Sequence, residues 1–239
     1  MKTKDAIQLG EQISPLVQAG EIEAAYALLA PVLAGKTPFP ILERIGKTFG
    51  TGPIETTNPF LGRIAADKTM GGWVVIGGAL NAQSERDLPG AFARSRDYII
   101  AADVWYGADI FGERIPGPGL VTHFEDALIL LQPWRDDSNR WVRRTVGVAV
   151  HFWAKRSRGD AAHTPQASSL LALLEPMFTE WEMDAVKGVG WGLKTLGRYY
   201  PDLMVAWLPG QIQRHHRAIM RNKAMKFLSD ELHARVVQE

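Results

Sequence analysis

The sequence predicts an all-helical protein built by stacking helix pairs, and three observations carry that expectation. Segments rich in helix formers, about ten to eighteen residues long, alternate with short runs of Gly, Pro, Asp and Asn such as "RIPGPG" and "PWRDDSN". Trp105 and Trp141 stand 36 residues apart and Trp191 follows 50 later. That is close to the length of two-helix HEAT-like units, which stack into a curved solenoid with a concave face. Finally, "WVVIGGAL" (73–80) has strand-like residue types but no second segment to pair with, so it reads as helix. The repeat is degenerate, and an irregular helical bundle fits the same segments.

Each element has its own local reason. "EIEAAYALLAPVLAG" is dense in helix formers and stops at Gly35. "FGTGPIETTNP" (49–59) is the longest polar, breaker-rich stretch and reads as a loop. "VWYGADIFGERI" (104–115) reads as helix. "SNRWVRRTVGVAVHFWAKRSRGD" opens on Ser138 or Asn139 as cap and closes on a basic last turn before Gly159. "TPQASSLLALLEPMF" takes Thr164 as cap with Pro165 in the first helical position. "DAVKGVGWGLKTLGRYYP" ends at Pro201, and "QIQRHHRAIMRNKAMKFL" reads as one basic helix. No interdomain linker stands out, so residues 1–239 read as a single repeat domain.

Composition narrows the function classes. Of 239 residues, 46% are apolar and 22% charged, which suits a folded globular chain rather than a disordered one. Cysteine is absent, which excludes disulfides and thiolate metal sites. No window approaches a membrane span, and "MKTKDAIQLGEQ" lacks a signal peptide's apolar core, so a soluble cytoplasmic protein is expected. The net charge of +1 conceals an asymmetry. Residues 1–133 hold 11 Lys and Arg against 15 Asp and Glu, whereas residues 134–239 hold 16 against 11. A basic C-terminal half suits a polyanionic partner, and a chance asymmetry of a solvated surface fits equally.

The candidate residues sit on these helices. Trp105 and Asp109, four apart, share a helix face. A buried tryptophan beside a surface acid gives the same spacing. Arg144, next to Arg143, heads a stripe through Val148, His151 and Lys155, in which His151 reads as an ordinary helix histidine. Lys187, Trp191 and Lys194 place an aromatic between two cations, as a surface that contacts phosphates and stacks on bases would, or a core tryptophan with snorkelling lysines. Three glycines in that helix (188, 190 and 192) each cost about 1 kcal/mol relative to Ala and so suggest close packing or close approach to a ligand. Arg214, Arg217 and Arg221 line one face of the last basic segment, with Lys223 and Lys226 nearby. His215 and His216 lack the partners of a metal site. No nucleophile elbow, P-loop or HExxH is present.

Taken together, "WYGAD", "WVRRTVGVAVHFWAK" and "AVKGVGWGLKTLGRYYPD" resemble the AlkD-like DNA alkylation repair family, HEAT-like-repeat DNA glycosylases that release cationic alkylated purines. The family's Trp-x-x-x-Asp pair falls on Trp105 and Asp109. The arginine of its Trp-x-x-Arg helix falls on Arg144, and the tryptophan of its Gly-Trp helix on Trp191. The similarity spans about residues 68–210. Residues 1–60 lack the family's Gly-Ile/Leu-x-x-Pro-x-x-Arg signature and read as divergent helices, and Tyr106 stands where many members have an acid.

The resemblance implies a monofunctional glycosylase in base excision repair, with Asp109, Trp105, Trp191 and Arg144 catalytic. Its partner is duplex DNA with alkylated purines, and the cations that the helical spacing and the basic stripes single out, Arg143, Arg144, Lys155, Lys187, Lys194, Arg214, Arg217 and Arg221, are the ones expected to hold its phosphates. It implies a monomer that needs no cofactor, metal or membrane. Two other readings stay open: a non-catalytic helical-repeat scaffold for DNA or protein, which does not require Asp109, and a relative specialised for bulky purine adducts.

Overall fold

A computed structural model describes residues 1–238, which hold fifteen α-helices, two short 3-10 helices and no strand. The chain divides into two compact units at the Ile115–Pro116 junction. No helix among the described residues is long and apolar enough to cross a membrane.

The first unit contains α1 (Thr3–Gln18), α2 (Ile22–Ala34), α3 (Phe39–Gly50), α4 (Ile54–Ala66), α5 (Met70–Ser84), α6 (Leu88–Ala102) and α7 (Trp105–Arg114). The odd-numbered helices pack in sequence as one layer, and α2, α4 and α6 form the other. This is the alternation of a two-helix repeat. The segment 73–80 is the middle of α5, capped by Thr69, whose hydroxyl accepts from the Gly72 N–H at 3.1 Å. All eight of its residues are buried, so its β-branched residues mark a helix enclosed on all sides rather than a strand. Glycines bring α3 and α5 together: a Cβ on Gly46 would overlap the Val75 carbonyl, and one on Gly78 would overlap that of Glu43.

The second unit contains α8 (Pro116–Thr122), α9 (Phe124–Arg135), α10 (Arg140–Ser157), α11 (Thr164–Leu174), α12 (Met183–Tyr199), α13 (Pro201–Ile212), α14 (Ala218–Met225) and α15 (Asp230–Gln238). Here α8, α10, α12 and α14 pack in order as one layer, with α9, α11, α13 and α15 as the other. Asn139 caps α10, its side chain accepting from the N–H groups of Trp141 at 2.8 Å and Val142 at 3.4 Å. The same helix ends through Arg158 and Gly159, both at positive φ. Trp153, stacked on Tyr200 at 6.0 Å, anchors α10 to the segment that follows α12.

Several breaker-rich runs turn out helical. In 49–59 only residues 51–53 connect; the remainder closes α3 and opens α4, because Thr57, Phe60, Leu61 and Ile64 supply a buried stripe. Pro116 opens α8 rather than a loop, since proline suits a first helical turn. Pro133–Arg135 of "PWRDDSN" belongs to α9, which leaves 136–139 as the connection. Thr164 lies within α11 instead of capping it. The entry to that helix is made by a 3-10 turn, Ala161–His163, nucleated by Asp160 accepting from the Ala162 N–H at 2.9 Å.

Candidate functional site

In the first unit the candidate pair stands on α7. The chain leaves α6 through Asp103 in the left-handed conformation, passes Val104 in extended backbone and begins α7 at Trp105. Gly107 makes this corner possible, since a Cβ there would lie 2.7 Å from the Ala102 Cβ. Phe111 anchors the helix: it stacks on Tyr98 and meets Trp73 edge-on, each at 6.0 Å between ring centroids. With that face committed to the core, Trp105 remains 54% exposed and Asp109 half-buried one turn later. Tyr106 meets the Trp105 ring edge-on at 5.7 Å.

The second unit places the other candidates on α10 and α12. A Cβ on Gly147 would overlap the Gly188 carbonyl, and one on Gly192 would lie 2.8 Å from the Gly147 carbonyl. The costly glycines thus seat two helix backbones against each other. Arg144 is only 8% exposed, lies over Gly188, and donates from Nη1 to the Asp184 carbonyl at 3.2 Å. Arg143 points elsewhere. Its Nε donates to Glu180 at 2.6 Å, and its Nη1 to the carbonyls of Asp137 at 2.7 Å and Ser138 at 3.1 Å. Burial alone would push the Glu180 carboxyl up; the Arg143 hydrogen bond and charge, with the N–H groups of Trp181 and Glu182, hold it below the ordinary range.

His151 is the residue that sequence reasoning undervalued. Its ring stacks on Trp191 with centroids 3.9 Å apart and planes inclined at 23°. Thr195 donates its hydroxyl to the Trp191 carbonyl at 3.0 Å and lies 2.7 Å from His151 Nδ1. With its proton committed, the Thr195 oxygen accepts from Nδ1–H, which fixes the neutral tautomer. Burial first, then the charges of Lys155 and Lys194, push the imidazole down to about 4. The structure therefore gathers Lys155, Trp191 and Lys194 around His151, in a depression of about 180 Å³ that Arg198 and Phe227 also line. The sequence signal for His151 was its place on the Arg144 stripe. Phe227, 44% exposed, had none.

The remaining cations are dispersed. Lys187 is exposed on α12 and Arg221 on α14. The expected single face for Arg214, Arg217 and Arg221 does not form, because the helix breaks over residues 213–217. Aromatic groups capture the histidines there: His215 lies 4.6 Å from the Trp181 ring and His216 5.1 Å from Phe178. His216 Nδ1 also pairs with the Arg214 carbonyl at 2.7 Å, diverting a backbone acceptor from the helix. Arg214 donates to the Glu175 carbonyl at 3.0 Å and to Gln211 at 2.7 Å, and Arg217 lies over Trp181 at 5.0 Å.

Comparison with known families gives a match to the one described as DNA alkylation repair enzyme, over residues 75–228. The matched stretch takes in Trp105, Asp109, Arg144 and Trp191 and runs on through Phe227. No curated protein and no solved structure gives a significant match.

Proposed function

The chain belongs to the DNA alkylation repair enzyme family, and from that premise we propose that it hydrolyses the N-glycosidic bond of N3- or N7-alkylated purines in duplex DNA. The observation that carries this reading is the indole of Trp105, 54% exposed, one helical turn before the half-buried carboxylate of Asp109.

A purine alkylated at N3 or N7 is already cationic. When the C1′–N bond breaks, its electron pair neutralises the departing base, so no acid need protonate the leaving group. One carboxylate then suffices where glycoside hydrolysis ordinarily takes two. Asp109 stabilises the oxocarbenium left at C1′ and orients the water that adds there, taking up its proton. The indoles of Trp105 and Trp191 attract the cationic base or sugar, each by about 0.5–2 kcal/mol. Arg144, oriented by the Asp184 carbonyl, fixes register by a phosphate contact that carries no base information.

A duplex with a single 7-methylguanine tests this, strand cleavage after alkali reporting abasic sites. Wild type is expected to produce cleavage at the lesion. Asp109→Asn is expected to slow single-turnover excision at least tenfold with DNA affinity nearly unchanged. Binding without cleavage at enzyme excess would instead support the scaffold reading.

A further inference from the structure

The neighbours of Trp191 on its own helix are poorly suited to confine an indole. One turn away on either side along α12 stand Lys187, Gly188, Lys194 and Thr195, and the adjacent residues are Gly190 and Gly192. A glycine has no side chain to brace a ring, and a lysine stem is flexible. The brace comes from α10 instead. His151 stacks on the indole with centroids 3.9 Å apart and planes inclined at 23°. The imidazole is itself held, because Thr195, only 7% exposed, lies 2.7 Å from Nδ1 and gives its own proton to the Trp191 carbonyl at 3.0 Å. These contacts close a circuit. The backbone of Trp191 orients Thr195, Thr195 orients His151, and His151 orients the ring of Trp191. A hydrogen bond in the imidazole plane and a stack across it together fix rotations that either alone would leave free. Burial and the charges of Lys155 and Lys194 keep the ring neutral. An imidazolium would set a positive charge under an indole whose proposed ligand is a cation.

We propose that His151 is the positioning residue for Trp191: it covers one face of the indole and fixes the other to receive the cationic base or sugar. The role rests on the glycosidic reading given above. Its consequence is large because reacting geometry tolerates little error, a displacement of about 1 Å costing about 100-fold in rate.

Single-turnover excision of 7-methylguanine separates a positioning role from a merely structural one. His151→Gln keeps a polar group to meet Thr195 but has no ring, and it is expected to slow excision about tenfold with affinity for undamaged duplex unchanged. His151→Phe keeps a ring and should stay within about threefold of wild type. With Trp191→Leu already in place, His151→Gln should slow the reaction no further, since the ring it positions is gone. A wild-type rate for His151→Gln, or the same loss in the absence of the Trp191 ring, overturns the proposal. A wild type that excises nothing is a failure of the glycosidic reading, and the geometry is then read directly by fluorine NMR. In protein labelled with fluorotryptophan, the resonance missing from Trp191→Leu belongs to Trp191. His151→Gln should move it toward the shift of a solvent-exposed tryptophan, and a resonance left in place overturns the positioning.

Discussion

At the scale of single residues, His151 shows how a side chain's role depends on neighbours far along the chain. The imidazole stays neutral down to about pH 4 because it is buried and because Lys155 and Lys194 lie beside it. In the unfolded chain it titrates near the ordinary 6.5. Between those values the unfolded state binds more protons, so this group's contribution to stability falls as pH drops through the window. Its ring is partly exposed, and after discounting for solvent screening the effect is about 1–2 kcal/mol. His151→Gln removes the titration. Thermal denaturation from pH 7 to 4.5 should therefore show a smaller loss of Tm for the variant than for wild type. An equal loss in both would mean that His151 titrates normally in the folded chain.

At the scale of helices, close approach of backbones is what the glycines of α10 and α12 supply. Any side chain at Gly147 collides with the Gly188 backbone, which cannot yield as a flexible side chain does. Gly147→Ala is expected to destabilise by about 1–3 kcal/mol by forcing the helices apart. Gly62 in α4 has nothing within 4 Å of the position its Cβ would take. There the ordinary helical preference prevails, and Gly62→Ala should stabilise by about 0.5–1 kcal/mol. Urea unfolding of the two variants checks both signs. Destabilisation by Gly62→Ala would contradict the open environment assigned to it.

At the scale of the whole molecule, charge is the property that the proposed chemistry turns on. The first unit holds 11 basic against 13 acidic residues, and the sequence from Pro116 onward holds 16 against 13. A basic second unit suits a polyanion, whereas chemistry at Asp109 suits a leaving group that is cationic in its own right. Uracil and hypoxanthine, which are neutral, should not be released at measurable rates, and N3- and N7-alkyl purines should be. With no lysine assigned as nucleophile, borohydride should trap no intermediate. Comparable release of uracil, or a trapped Schiff base, would remove Asp109 from the role assigned to it.

What the amino-acid order determined is what repeats within one helix. The 3.6-residue period puts Trp105 and Asp109 on one face, and local chemistry places the Asn139 cap, the Gly35 and Gly159 stops and the break before Pro201. Glycines 188 and 192 likewise announce a close approach, but not the partner, which is Gly147 and the Arg144 backbone on α10. Breaker-rich runs misled where burial overrode propensity, as in α4 and α8, and a polar run that looked continuous was split at 213–217 by aromatic rings of the preceding segments. Only tertiary structure decided that His151 stacks on Trp191 and pairs with Thr195, 44 residues away, and that Phe227 reaches Lys194 and Arg198. Those pairs depend on the register at which separate helices pack, and that register is set by the whole set of buried side chains and backbone contacts at once rather than by spacing along any one segment.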